Sequence, residues 1–444
     1  MINATGDLPE ELCRGEKMEA QYARPELPMY AGNPLIEGLP HLLEKKDVMD
    51  RLEQRPEYDR ARDCGLPQHH RIALLANLGR FFLPLPRHAH LEQEISCMVR
   101  SRYIDRNPLA NGFYVRIKEK VDRLKSTVER QALRVSTTRC GLLTGISGTG
   151  KTYTVERILR KMLPQVVIHR NYKGTEFFHK QLVWLKVNCP ETGTARGLCE
   201  NIFRAVDEIL CENYGRKYGG NHKPIYTRVD GVARVALLNS LGMLVIDEMH
   251  NIKASKSGGN YQLLNFIVAI EDMGVPVLMV ANGRVDDILG TGFRQIRRST
   301  GLLQPHWHRM MEESKEWEYF SKALWRYQYL KTFQPLADQL RTELYYQTQG
   351  IPDLAVKLYW NVQKELINDS DGEQITPTVI ATVAHRVLAR EAMILKALRE
   401  KDLTILKTVS DLCREDLCGT ELPPEEVKRL AKRPNGSART NDKS

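Results

Sequence analysis

Between residues 140 and 282 short apolar runs alternate with longer amphipathic stretches. CGLLTG (140–145), LVWLKVNC (182–189), GMLVIDE (242–248) and VPVLMVAN (275–282) are too short for helices and too apolar for loops. They predict buried strands. The stretches between them, TYTVERILRKML, ARGLCENIFRAVDEILCENY, VARVALLNSL and YQLLNFIVAIEDMG, place apolar residues at helical spacing. Strand and helix in alternation predict an α/β fold, with a parallel sheet and right-handed crossovers. After about residue 310 the strand signal stops. WEYFSKALWRYQYL, LADQLRTELYYQTQG, DLAVKLYWNVQKELI and TVIATVAHRVLAREAMILKALRE predict helices only.

The first 60 residues are rich in proline and charge, with few periodic apolar positions, and predict an arm that clings to the domain or to a partner. RIALLANLGRFFLPL (71–85) and YVRIKEKVDRLKSTVERQAL (114–133) predict helices ahead of the core. The expected organisation is therefore an arm over 1–60, a helical extension over 61–135, an α/β core over 136–305, a helical lid over 306–400 and a basic tail over 401–444.

The 444 residues carry a net charge of +10, and 42% are hydrophobic, as in a globular protein. No apolar run approaches the roughly 18 residues of a membrane span, so no membrane partner is expected. MINATGDLPEELCRGEK has no apolar core of a signal peptide, which points to the cytoplasm. Nine cysteines without a CxxC pair read as free thiols. Cys64, His69, His70, His88, His90 and Cys97 lie close in sequence but lack the tight paired spacing of zinc ligands, and read as packing residues. Basic charge is concentrated after the core's first loop, where Glu156 stands against Arg157, Arg160, Lys161, Arg170 and Lys173. Such an excess suits a polyanionic partner.

The chemistry begins at GISGTGKT. Gly145, Ile146, Ser147, Gly148, Thr149, Gly150, Lys151 and Thr152 satisfy GxxxxGK[ST] between a predicted strand and a predicted helix. Loop amides cradle phosphates, the lysine reaches the β- and γ-phosphates, and the threonine hydroxyl holds Mg²⁺. This implies ATP and Mg²⁺ as ligands. The strand GMLVIDE delivers Asp247 and Glu248 to the same sheet edge, the first for Mg²⁺ and the second to polarise water. An acid beside the metal carboxylate favours hydrolysis over transfer to another substrate. Asn282 ends the strand VPVLMVAN, placed to contact a γ-phosphate or a water. Arg294, Arg297 and Arg298 cluster in FRQIRRSTG, and Arg297 or Arg298 suits an arginine finger for a neighbouring subunit's site.

With these residues in place the chain resembles the AAA+ ATPases, and within them the TnsC/TniB regulators of Tn7-like transposons, including CRISPR-associated ones. Besides the phosphate loop the resemblance rests on NPLIEGLP, RYIDRNP, VERIL, WLKVNCPETGTARGLC, MLVIDEMH and FRQIRRSTG, over about residues 30 to 360. It implies an AAA+ P-loop NTPase core with a parallel five-stranded sheet followed by a helical lid, in a bacterial, DNA-associated ATPase that forms rings or filaments on double-stranded DNA without sequence preference. It also implies partners: a target selector of the TniQ/TnsD type and a transposase of the TnsA/TnsB type. Asn282 then occupies the sensor-1 position. In TQGIPDLAVKLYW, Asp353 stands where many AAA+ proteins have a sensor-2 arginine, with Lys357 as a substitute. DNA contacts are expected from Thr192, Thr194 and Arg196 in CPETGTARG and from Lys217 and Lys223 in GRKYGGNHK. Two other readings fit the same motifs: another DNA-loading AAA+ ATPase, such as a helicase loader or initiator, or a scaffold that binds ATP without hydrolysing it.

Overall fold

The computed structural model describes residues 17–25, 27–113, 115–119, 140–220, 222–254, 259–283, 306–369 and 372–401, with 412, 416 and 417. Its strands are β1 (Lys17–Glu19), β2 (Cys140–Leu143), β3 (Val166–Tyr172), β4 (Thr175–Leu182), β5 (Trp184–Asn188), β6 (Met243–Asp247) and β7 (Val277–Val280). Four of them form the central sheet in the order β2-β7-β6-β5, every pair parallel. β2, β6 and β7 are buried along their whole length, so they read as continuous apolar runs.

The expected fifth strand is not a strand among the described residues. Its place beside β2 is taken by a single parallel bridge between Thr144 and His306, with the Trp307 N–H donating to the Thr144 carbonyl at 2.6 Å.

A second sheet, β1-β3-β4, was not foreseen. β3 and β4 form a hairpin closed by Lys173 and Gly174, both at positive φ (51° and 87°), as a tight two-residue turn requires. β1 adds to it in parallel, Lys17 opposite Val166. This sheet explains the basic concentration after the phosphate loop. Arg170 pairs with Glu19 at 3.0 Å and Lys173 with Glu37 at 3.0 Å. Arg157 is buried and donates to the Leu52 and Glu53 carbonyls and to Gln54. Three of those five cations therefore face acceptors from the first 60 residues.

Packing does not part at residue 60. Leu35, Ile36, Val48 and Leu52 share one buried cluster with the helix Pro86–Ile104, the helix Lys151–Met162 and one face of the central sheet. The opposite face packs on Ala195–Leu210, Ile225–Leu238 and Gly259–Asp272. Of the stretch expected to be one helix over 71–85, Gln68–Leu74 is helical, Leu75–Arg80 is a 3-10 turn, and Phe82 bridges back to Gln54. The helix expected over 114–133 lies outside the described residues beyond 119. The helical region assembles Lys315–Trp325, Asp338–Thr348, Pro352–Asn368, Pro377–Val387 and Ala392–Glu400 around its own core. That core also takes in Leu75, Leu78 and, from the phosphate loop, Ile146. Among the described residues no helix is long and apolar enough to cross a membrane.

Candidate nucleotide site

The loop from Gly145 to Gly150 leaves the buried end of β2 and enters the helix Lys151–Met162, whose N-cap is Gly150. Two glycines show why the loop tolerates no side chain there. Gly145 sits at φ 150°, and a β-carbon on it would collide with the Trp307 carbonyl. Gly148 sits at φ 82°, and a β-carbon on it would lie 2.9 Å from the Ile351 methyl. The loop is thus clasped on two sides by the helical region. Trp307 Nε1 donates to the Thr149 carbonyl at 2.9 Å, and the Asp353 N–H donates to the Gly148 carbonyl at 3.2 Å. Thr149 Oγ1 donates back to Ile146 at 2.8 Å.

Lys151 is buried, and its ammonium donates to the Gly145 and Ile146 carbonyls, each at 2.8 Å. These are turn carbonyls of the cradle itself, so the cation waits inside the loop. Thr152 Oγ1 donates to Asp247 Oδ1 at 3.2 Å, joining the two residues expected to share a metal. Asp247 is buried at the end of β6, while Glu248 follows at φ 56° and is partly exposed. That left-handed turn aims the Glu248 N–H at Asp247 Oδ1 (2.8 Å), and the Glu248 carboxylate meets His250 Nε2 at 3.0 Å. Asn282 stands beyond β7. Together Ser147, Gly148, Gly150, Lys151, Thr152, Asp247, Glu248 and Asn282 line one cavity of about 230 Å³. Gly145, Ile146 and Thr149 belong to the same loop but are not among the lining residues. The donor set suits a phosphate chain with Mg²⁺: a run of loop amides, a lysine and a hydroxyl in the first turn of the helix after β2, and a carboxylate at the end of β6.

Asp353, expected at the sensor-2 position, lines the same cavity, and three further residues at this centre were not foreseen as part of it. Tyr153 and His250 line the cavity. Lys186, midway along β5, reaches Asp247 Oδ2 at 3.0 Å and Glu156 at 2.7 Å. Burial pulls the Lys186 ammonium toward neutrality, but the two carboxylates outweigh it and raise its pKa above the usual lysine value. A lysine inside an otherwise apolar strand was the available signal. Burial raises the Asp353 carboxyl above its ordinary range, opposed by Lys357. Lys357 itself pairs with Glu391 at 3.1 Å and is not among the residues that line the cavity. Arg294, Arg297 and Arg298 lie outside the described residues.

The residues expected to contact DNA fall in two loops that the fold ties together. Thr194 caps the helix Ala195–Leu210 by accepting from the Gly197 N–H, and Thr192 meets it at 3.1 Å. Exposed Arg196 lies 4.0 Å from Glu200 one turn on. Glu200 in turn accepts from Arg228 Nη1 at 2.6 Å. Arg228 is fully buried and also donates to the Gly220 and Lys223 carbonyls. Lys217 and Lys223 are further linked by the Lys223 ammonium on the Lys217 carbonyl, and Lys217 lies over the Tyr218 ring at 5.1 Å. One buried guanidinium therefore holds the second loop against the first turns of the helix that carries the other.

Residues 133–289 match a family model described as an AAA domain. No curated protein matches the chain. Among solved structures, a Walker-type ATPase of Pyrococcus abyssi is similar at 13% identity and a TM-score of 0.36, covering 71% of this chain and 87% of that one. The ORC2 protein of Aeropyrum pernix, solved as ADPNP-ADP complexes, is similar at 11% identity and a TM-score of 0.35, covering 73% and 86%. The fold is that of an AAA+ P-loop NTPase.

Proposed function

We propose that this chain is an ATP-dependent, DNA-binding regulator of transposition of the TnsC/TniB kind. It assembles as a ring or helical oligomer on double-stranded DNA without reading sequence. It links a target selector of the TniQ/TnsD type to a transposase of the TnsA/TnsB type, and ATP hydrolysis resets it. The single observation that carries the ATPase part is the cavity in which Lys151, Thr152, Asp247, Glu248 and Asn282 converge from separate strand ends. Thr152 and Asp247 would hold Mg²⁺, and Lys151 would leave its loop carbonyls for phosphate oxygens. Bound Mg²⁺ would neutralise charge on the phosphates. Glu248 would orient and deprotonate water, Asn282 would hold it, and Arg297 or Arg298 would complete the site from the next subunit.

The transposition reading is supported by the motif text shared with TnsC/TniB proteins, and the DNA reading by two exposed loops held on one face by Arg228. Phosphate contacts from threonine, arginine and lysine at loop positions give binding without sequence preference. Electron microscopy of the protein with duplex DNA and a non-hydrolysable ATP analogue tests the whole proposal. Rings or filaments around DNA are expected. Monomers seated at one preferred sequence would instead favour an initiator or helicase loader.

A further inference from the structure

The ion pair that Lys186 makes with Asp247 has no place in the chemistry above. Lys186 sits on β5 opposite Val245 of β6, one strand away from the metal carboxylate. Its ammonium is largely buried and lies 3.0 Å from Asp247 Oδ2 and 2.7 Å from Glu156 Oε1. The other Asp247 oxygen accepts from Thr152 Oγ1 at 3.2 Å and from the Glu248 N–H at 2.8 Å. Both oxygens of the carboxylate are thus occupied, one by a full positive charge. Glu156 is the outer member of the triad and opens onto a groove of about 410 Å³ that Lys186 also lines. Like charges close together in a poorly solvated site repel, so this ammonium opposes any divalent cation that approaches Asp247.

We propose that Lys186 is a positioning residue that keeps Asp247 charge-compensated and holds down the site's affinity for free divalent metal, with Glu156 competing for the same ammonium. The inference rests on the ATP and Mg²⁺ reading of the cavity. Metal then enters only with the nucleotide's phosphates, whose negative charge offsets the ammonium. The two partners of Lys186 have opposite consequences. Removing the lysine's charge leaves Asp247 a stronger metal ligand. Removing the charge of Glu156 leaves the ammonium to Asp247 alone and makes it a weaker one. A purely structural triad would lose metal affinity in both cases.

The test uses the full chain without nucleotide and Mn²⁺ as the probe, followed by electron paramagnetic resonance. Lys186→Gln should tighten Mn²⁺ binding about tenfold and Glu156→Gln should weaken it about threefold, for charges at this separation. Lys186→Arg should keep the wild-type value. Binding of a fluorescent ATP analogue in EDTA should change less than about twofold in all three. Unchanged or weakened Mn²⁺ binding in Lys186→Gln, or a shift of both variants in one direction, overturns the proposal. Should Lys186→Gln fail to fold, Lys186→Met, which keeps the aliphatic stem without the charge, takes its place: tightened Mn²⁺ binding supports the proposal, and no change or weakening refutes it. Asp247→Ala separates the two readings. Mn²⁺ binding that survives this change intact removes the metal site itself, whatever Lys186 does.

Discussion

The nucleotide cavity and the pair of basic loops are built on opposite plans. In the cavity Lys151 and Asp247 are buried and already engaged, Lys151 on its own loop carbonyls and Asp247 between Thr152 and Lys186. In the loops the charged groups stand in solvent, and the buried element is a support, Arg228, which touches Glu200 and two carbonyls. Buried groups act in a low dielectric, where removing one partner is felt in full. Exposed groups act through screened, nearly additive contacts. The same count of charges therefore makes one site brittle and the other graded.

The most direct way to break that comparison is Lys151→Ala. ATP affinity should fall about a thousandfold, by calorimetry or a fluorescent analogue, because no other lysine lines the cavity among the described residues. Normal affinity in that variant would overturn the assignment of the cradle. Next comes Glu248→Gln, which should keep ATP binding and lower phosphate release several hundredfold, in the range of a lost general base. Assemblies on DNA should then persist, and a wild-type rate of hydrolysis rules out Glu248 as the base.

On the other side of the comparison, Arg228→Leu removes the buried support. It should cost about 2–3 kcal/mol in urea denaturation, the penalty for orphaning buried partners, and should weaken DNA binding without touching ATP affinity. Unchanged stability would show that the loops hold themselves.

His88 offers an acid test of the packed side. Burial holds its pKa down to about 3, assisted by Arg87, and the neutral ring accepts the Leu85 N–H at 2.6 Å between Phe82 and Trp307. Above about pH 6.5 both folded and unfolded forms are neutral and nothing changes. Below it only the unfolded chain takes the proton, so by pH 5 the fold should lose about 2 kcal/mol that His88→Leu does not lose. Urea midpoints at pH 7 and pH 5 for both proteins measure it. The smallest effect belongs to Lys217→Ala. Its DNA affinity should fall only a few-fold, and the slope of log affinity against log salt should drop by about one. A steep, sequence-dependent loss there would make this lysine a base reader.

Much of the site was legible because its residues are tied to strand ends. GISGTGKT after CGLLTG and Asp247-Glu248 after GMLVI needed only strand, loop and helix in order to be placed, and Asn282 followed the same logic. The hairpin β3–β4 escaped because Lys173-Gly174 is a weak turn signal and its strands mix apolar and polar residues irregularly. The fifth strand was overcounted because one bridge at His306 replaces a ladder. The arm over residues 1–60 was expected to cling to the domain or to a partner, but its apolar positions lack a period, so neither the pairing of β1 with β3 nor the full burial of Leu35 and Leu52 was legible.

Local order in the chain was thus enough to determine the α/β alternation, the phosphate cradle and the carboxylates that share its sheet edge. These depend on neighbours within one strand-loop-helix unit. Tertiary structure alone decided which charges meet. Glu19, Glu37 and Gln54 reach forward more than 90 residues to the cations after the cradle. Ile351 and Asp353 close on Gly148, Arg228 joins two loops, and Lys186 turns to Asp247 from a neighbouring strand. Side-chain pairing across such distances leaves no periodic trace in a sequence, because it is fixed by how the layers pack and not by the order of residues along any one of them.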